Sequence, residues 1–170
     1  MTSNGLHWYV AYVRSCQEKK CAAELDALQV EHFLPVQLVK KKYSDRMKWV
    51  EQLVLPRMIF IRTDPQRRTR LLEEVYGLHA YMTTGTYNPV VVPDQQMDDF
   101  RFMLKHGGGS VKVTGDRFSP GDRVKVVSGP LTGLMCELVS VGETRCLAVR
   151  LGSIGTATWD ISMDDIVLLT

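Results

Sequence analysis

The chain has 170 residues, with 21 Lys and Arg against 19 Asp and Glu for a net charge of +2, and it is 45% hydrophobic and 24% charged. That balance is ordinary for a globular protein, contains no apolar run long enough to span a bilayer, and is too mild for bulk charge alone to imply a polyanionic partner. The opening MTSNGLHWYV lacks the basic-then-apolar order of a secretory signal, so a cytoplasmic location is expected.

Trp8 to Val13 is a near-continuous run of strand formers. Ser15 and Glu18 have the spacing of a capping box, which predicts a helix whose Cys21, Leu25 and Leu28 share one face. Phe33 to Tyr43 and Lys48 to Ile61 flank Ser44-Asp45-Arg46 and predict one long hairpin with a polar tip. Asp64-Pro65 opens a second helix carrying Leu71, Leu72 and Val75, which Gly77 can end. Strands at Leu78 to Met82 and Val90 to Val92 follow, and Pro93-Asp94 opens a third helix with Met97, Phe100 and Leu104. The order βαββαββα suits an α+β domain, an antiparallel sheet with helices packed on one face.

The pattern changes at KHGGGSVKVTGD, whose consecutive glycines predict a flexible joint. The expected division is an N-terminal domain over residues 1–105, a Gly-rich linker over 106–117 and a small all-β barrel over 118–170. In FSPGDRVKVVSGPLTG, positions 118 to 133, a strand run ending at Val127 meets a Gly129-Pro130 turn, then Leu131 and Gly133. The glycines supply backbone angles that other residues adopt poorly, and Pro130 presets one turn angle, as the opening hairpin of a tiny barrel needs. Five strands are expected: Val124 to Val127, Leu138 to Val141, Leu147 to Leu151, Ala157 to Ile161 and Ile166 to Leu169.

Catalytic chemistry finds no foothold. His7, His32, His79 and His106 are scattered, and no Ser or Cys stands in a nucleophile setting. GGGS at 107 to 110 follows a helix and lacks a Walker lysine. Cys16, Cys21, Cys136 and Cys146 form no CxxC and have no nearby histidine pair, so reduced thiols and no metal or cofactor are expected.

Binding surfaces are better marked. In LPRMIFIR, positions 55 to 62, alternation sends Ile59 and Ile61 one way and Met58 and Phe60 the other. Helices on one face leave the second either bare, as a protein contact, or covered within the monomer by the barrel or the third helix. Lys40, Lys41, Lys42, Arg46 and Lys48 concentrate positive charge at the hairpin tip, opposed only by Asp45. Tyr43 and Trp49 interleave with them and suit stacking on unpaired bases, though a solvated tip explains the same residues. Arg67, Arg68, Thr69 and Arg70 form a third patch at the second helix start, for which plain helix-surface charge is at least as good a reading as a binding role.

Over residues 7 to 169 the chain resembles the NusG family of transcription elongation factors: WYV at 8 to 10, LPRMIFIR, Gly77, PVVVP at 89 to 93, and 118 to 133 as a KOW module. One departure is Cys136, where the KOW pattern usually has a second glycine, which implies either backbone strain or an altered hairpin. The resemblance implies an NGN domain followed by an SH3-like KOW barrel, in a non-catalytic, monomeric factor. It implies that Tyr12, Met58 and Phe60 line a depression that docks on the clamp helices of the largest catalytic subunit of RNA polymerase. Arg68 and Thr69 would then reach the polymerase's opposite pincer. Arg14, Lys20 and the basic hairpin would face non-template DNA or nascent RNA. The KOW domain would recruit a small ribosomal-subunit protein or Rho near Leu131 and Ile154, residues that also fit barrel core. WYVAYVRSCQEKK, EHFLPV and LVLPRMIFI are most similar to the UpxY branch of paralogues found with surface-polysaccharide operons, which implies suppression of pausing and readthrough of terminators. The readings left beside it are a general housekeeping NusG and a KOW-bearing RNA- or ribosome-associated module. One specialised relative folds its KOW region as a helical hairpin, against which the β-branched, glycine-rich composition here argues.

Overall fold

The computed structural model describes residues 5–85, 87–115 and 118–169. In chain order the elements are β1 (His7–Val13), α1 (Glu18–Ala27), β2 (Glu31–Phe33), β3 (Val36–Lys42), β4 (Met47–Leu53), β5 (Met58–Thr63), α2 (Pro65–Glu74), β6 (Leu78–Tyr81), β7 (Val91–Val92) and α3 (Asp94–His106). β8 (Lys112–Thr114), β9 (Asp122–Val126), β10 (Met135–Val141), β11 (Thr144–Arg150), β12 (Thr156–Asp160), a 3-10 turn (Met163–Asp165) and β13 (Ile166–Leu168) follow. The chain forms two compact units, Met1–Pro35 with Leu55–Asp94, and Val36–Val54 with Gln95–Thr170.

In the first unit a five-stranded antiparallel sheet runs β2-β5-β1-β6, with β7 also on β1. Ala11 and Val13 of β1 and Ile59 and Ile61 of β5 point to one face, where Cys21 and Leu25 of α1 and Leu71 of α2 complete a buried cluster with Val75 and Leu78. Each such aliphatic side chain contributes about 1.5 to 3 kcal/mol by leaving water.

The helix starts differ in how they form. Asp64 caps α2 as expected, its carboxylate accepting from the Arg67 backbone N–H at 2.8 Å. The capping box expected at Ser15 does not form: α1 begins after Gln17, which gives no side-chain cap. Cys16 between them adopts φ 61°, a left-handed residue that turns the chain and takes Ser15 out of the capping position. Gly77 has a packing role, because a Cβ there would overlap the buried Cys21 Sγ, and α2 is closed earlier by Val75 N–H donating to Leu71 O at 2.9 Å.

The single long hairpin is interrupted. β2 and β5 pair within the main sheet, with Phe33 opposite Phe60, whereas β3 and β4 form a separate ribbon from Val36 opposite Leu53 to Lys42 opposite Met47. Pro35 lies between β2 and β3, and Pro56 with Arg57 (φ 64°) between β4 and β5. Proline cannot donate to a ladder, and a left-handed residue breaks an extended one.

The second unit contains the ribbon, most of α3 and a six-stranded sheet in the order β13-β9-β10-β11-β12-β8. The sixth strand, β8, comes from the segment expected to be a free joint; it pairs with β12 through Val113 opposite Ala157. Residues 116 and 117 of that segment lie outside the described residues. Two of its glycines are packing positions, since a Cβ at Gly109 would overlap Leu38 O and one at Gly107 would press on Met103 O, whereas Gly108 and Gly115 face open space. α3 is tied to the sheet where Gln96 Oε1 accepts from Gly152 N–H at 2.8 Å, and Trp159 Nε1 donates to Gly107 O at 2.9 Å. Gly129 (φ 90°) and Gly133 (φ 97°) bracket the tight turn, and Gly133 N–H closes it on Val126 O at 2.8 Å. Of the two outcomes expected of Cys136, left-handed backbone strain is absent: it lies inside β10 opposite Val124, buried, and is not among the described non-glycine residues with positive φ.

Candidate functional site

Strand alternation builds the second face of the five-stranded sheet from Trp8, Val10 and Tyr12 of β1 beside Arg62, Phe60 and Met58 of β5. Trp8, Val10 and Phe60 are buried, Phe60 completely, with the Phe33 ring 6.3 Å from its own. Of the two alternatives for this face, bare or covered within the monomer, the burial of Phe60, mid-sheet between β1 and β2, fits the covered one. The face's apolar residues reach the surface at one end, where Tyr12 is 37% exposed and stands opposite half-buried Met58 on one side and half-buried Ala80 on the other. An aromatic ring beside a thioether makes a soft, adaptable apolar step.

The basic ribbon is a separate surface, in the second unit. Lys40 lies opposite Trp49, Lys41 opposite Lys48 and Lys42 opposite Met47, and Tyr43 N–H closes the tip on Arg46 O at 2.7 Å. Alternation places Leu38, Lys40, Lys42, Met47 and Trp49 on one face and Val39, Lys41, Lys48 and Val50 on the other. Lys40, Lys41, Lys42, Arg46 and Lys48 are all exposed, and none makes an ion pair among the described residues. Arg14 and Lys20 belong to the first unit and are also exposed. Arg14 is tethered, with Nε donating to Tyr76 O at 3.0 Å and its guanidinium 5.2 Å from the centre of the Tyr76 ring.

The arginines of α2 divide between structure and solvent. Arg67 donates from Nη2 to Leu28 O at 2.8 Å, holding the end of α1. Arg68 lies 4.9 Å from the Tyr9 ring and 5.9 Å from the Tyr81 ring, and its carbonyl accepts from the Tyr81 hydroxyl at 2.8 Å. Burial pushes that hydroxyl's pKa up, so it remains a donor. Thr69 and Arg70 are exposed. The tyrosine cradle was missed from sequence because Tyr9 and Tyr81 reach Arg68 only through the tertiary fold.

In the second unit Gly129 and Pro130 are exposed, Leu131 is fully buried beneath the turn and Ile154 is half-buried, so of the two KOW candidates only Ile154 reaches the surface. A groove of about 680 Å³, not anticipated from sequence, is lined by Leu38, Trp49, Leu104 and Lys105 among others. Among the described residues no cluster of metal-ligating side chains occurs, and no helix is long and apolar enough to cross a membrane. Burial pushes the thiols of Cys21, Cys136 and Cys146 up to about 11, 12 and 11, leaving Cys16 as the exposed thiol.

Residues 6–101 match the family model described as transcription termination factor nusG. Among solved structures, one described as domain interaction in Thermotoga maritima NusG aligns at a TM-score of 0.46 with 17% identity, covering 97% of this chain and 98% of that one. The MjSpt4:Spt5 complex, conformation A, aligns at 0.31 with 9% identity, covering 96% and 98%. At those scores neither likeness carries an argument. No curated protein matches.

Proposed function

The chain belongs to the NusG family of non-enzymatic transcription factors, and from that premise we propose that it is an elongation and antitermination factor that rides on bacterial RNA polymerase. The observation that carries this reading is the family match itself, which takes in the whole first unit but for its edges and the basic ribbon. Residues 1–105 supply the polymerase contact, 106–117 the connection and 118–170 the recruiting module. Tyr12 and Met58 form the accessible apolar step for the clamp helices, and Phe60 supports them from within the sheet. Thr69 contacts the second pincer, and Arg68 sets the start of α2 through its tyrosines. The ribbon lysines with Arg46, together with Arg14 and Lys20, hold the backbone of the displaced DNA strand or nascent RNA, which fixes position without reading sequence. Ile154 marks the surface for a ribosomal-subunit protein or Rho. Specialisation for surface-polysaccharide operons follows from the UpxY-like segments WYVAYVRSCQEKK and LVLPRMIFI.

Binding to purified bacterial RNA polymerase tests the reading, comparing wild type with Tyr12→Asp in a preparation whose circular dichroism is unchanged. A buried carboxylate at the apolar step should weaken binding at least tenfold. Equal binding by both proteins would move the docking surface away from Tyr12. The burial of Phe60 favours one second reading, an RNA- or ribosome-associated KOW module that never meets polymerase. Absence of wild-type binding would select it.

A further inference from the structure

The groove of the second unit has a specific construction. One wall is Leu38 and Trp49 of the ribbon, 56% and 57% exposed; the other is Leu104 and Lys105 at the end of α3. Gly108 and Gly109 complete the lining with φ of 65° and 85°, and at Gly109 a Cβ would collide with Leu38 O. The lining is thus smooth where side chains would otherwise fill it. Lys40 and Lys42 share the face of Leu38 and Trp49, with Lys40 directly opposite Trp49 across the ribbon, and Lys105 belongs to the groove lining, so cations adjoin the apolar surface.

An exposed aromatic ring in an apolar groove with cations beside it fits a base stacked on the ring with its flanking phosphates on the cations. We propose that this groove receives an unpaired base of a single-stranded nucleic acid, stacked on Trp49, with the flanking phosphates on Lys40, Lys42 and Lys105. An acidic peptide fits less well, because it would engage the lysines but give the exposed Trp49 ring no flat partner. DNA and RNA offer the same chemistry here. The inference rests on the nucleic-acid half of the reading above and is independent of polymerase docking.

Fluorescence anisotropy with the full chain tests it, using labelled strands of oligodeoxycytidylate, oligoribocytidylate and an abasic deoxyribose-phosphate backbone of equal length. Wild type should bind at least one base-bearing strand about tenfold more tightly than the abasic one. Trp49→Ala should remove that preference and leave the salt dependence unchanged. Lys40→Ala should weaken all three strands and lower the log-log salt slope by about 0.7. Leu38→Glu, at a position already more than half exposed, should lower base-bearing affinity without disturbing the fold. A stronger preference for ribose would assign the groove to the transcript, and for deoxyribose to the displaced strand. Equal wild-type binding of base-bearing and abasic strands, or a Trp49→Ala protein that keeps the preference, would overturn the proposal. Polymerase binding by Trp49→Ala should match wild type, so loss of docking and loss of the groove are read separately.

Discussion

The Gln37 side chain pairs with Val111 as one strand residue pairs with another: Nε2 donates to Val111 O at 3.0 Å, and Val111 N–H donates to Oε1 at 3.1 Å. Both residues are buried, so the base of the basic ribbon is fastened to the segment after α3 by a single amide. Replacing it by Leu leaves a buried N–H and C=O without partners, at about 1 to 3 kcal/mol each. Gln37→Leu should therefore lower the urea unfolding midpoint clearly, and a shift equivalent to less than about 0.5 kcal/mol would contradict the fastening role.

Gly77 and Cys21 should behave as a coupled pair. Gly77→Ala forces its new methyl onto Cys21 Sγ and should cost about 1 to 3 kcal/mol. Cys21→Ala alone loses packing in the first-unit core, yet it removes the clashing atom. A double-mutant cycle should give a favourable coupling, with the double variant more stable than the two single losses predict; strict additivity would mean that the backbone moves instead.

Thiol chemistry should single out Cys16. At pH 8 a disulfide reagent should label Cys16 quickly and Cys21, Cys136 and Cys146 only after denaturant is added. For those three, burial holds the folded pKa at about 11, 12 and 11, above the ordinary thiol value. Their contribution to stability is intact below pH 9 and is lost as pH rises from there towards 11 and 12. The urea midpoint should fall across that alkaline window, and rapid native labelling of a second thiol would refute the assignment.

Asp64 carries a pH dependence of the opposite sign. The Arg67 backbone N–H holds its carboxyl below the usual carboxylate range, so its contribution is present above the unfolded value and is lost as pH falls through the folded one. Asp64→Asn retains a cap without a titrating group. It should match wild type at neutral pH and show a shallower acid loss of helix signal, whereas parallel acid curves would rule out the carboxylate.

The elements read well from sequence are those with local causes. Asp64-Pro65 announced α2, and the strand run ending at Val127 announced β9, because caps and periods act within a few residues. The broken hairpin was legible in principle at Pro35 and Pro56, but the long apolar pattern outweighed them. Gly107 and Gly109 misled for a physical reason: a residue without Cβ serves a flexible joint and a tight contact equally, and only the positions of Met103 O and Leu38 O distinguish them. At the candidate sites, the exposed lysines were readable as charge. The burial of Phe60, the commitment of Arg68 to Tyr9 and Tyr81, and the groove beside Trp49 arise from residues far apart in sequence, so no local signal could report them.

Lys41 and Lys48 stand directly across the ribbon from one another, and like charges in that position push the strands apart. Dissolved ions weaken that repulsion. Raising the salt should therefore tighten the free hairpin while it loosens the hairpin's hold on a phosphate backbone. On the proposed reading a bound strand would do for the pair what salt does, neutralising it in place, so the ribbon would be most ordered when occupied.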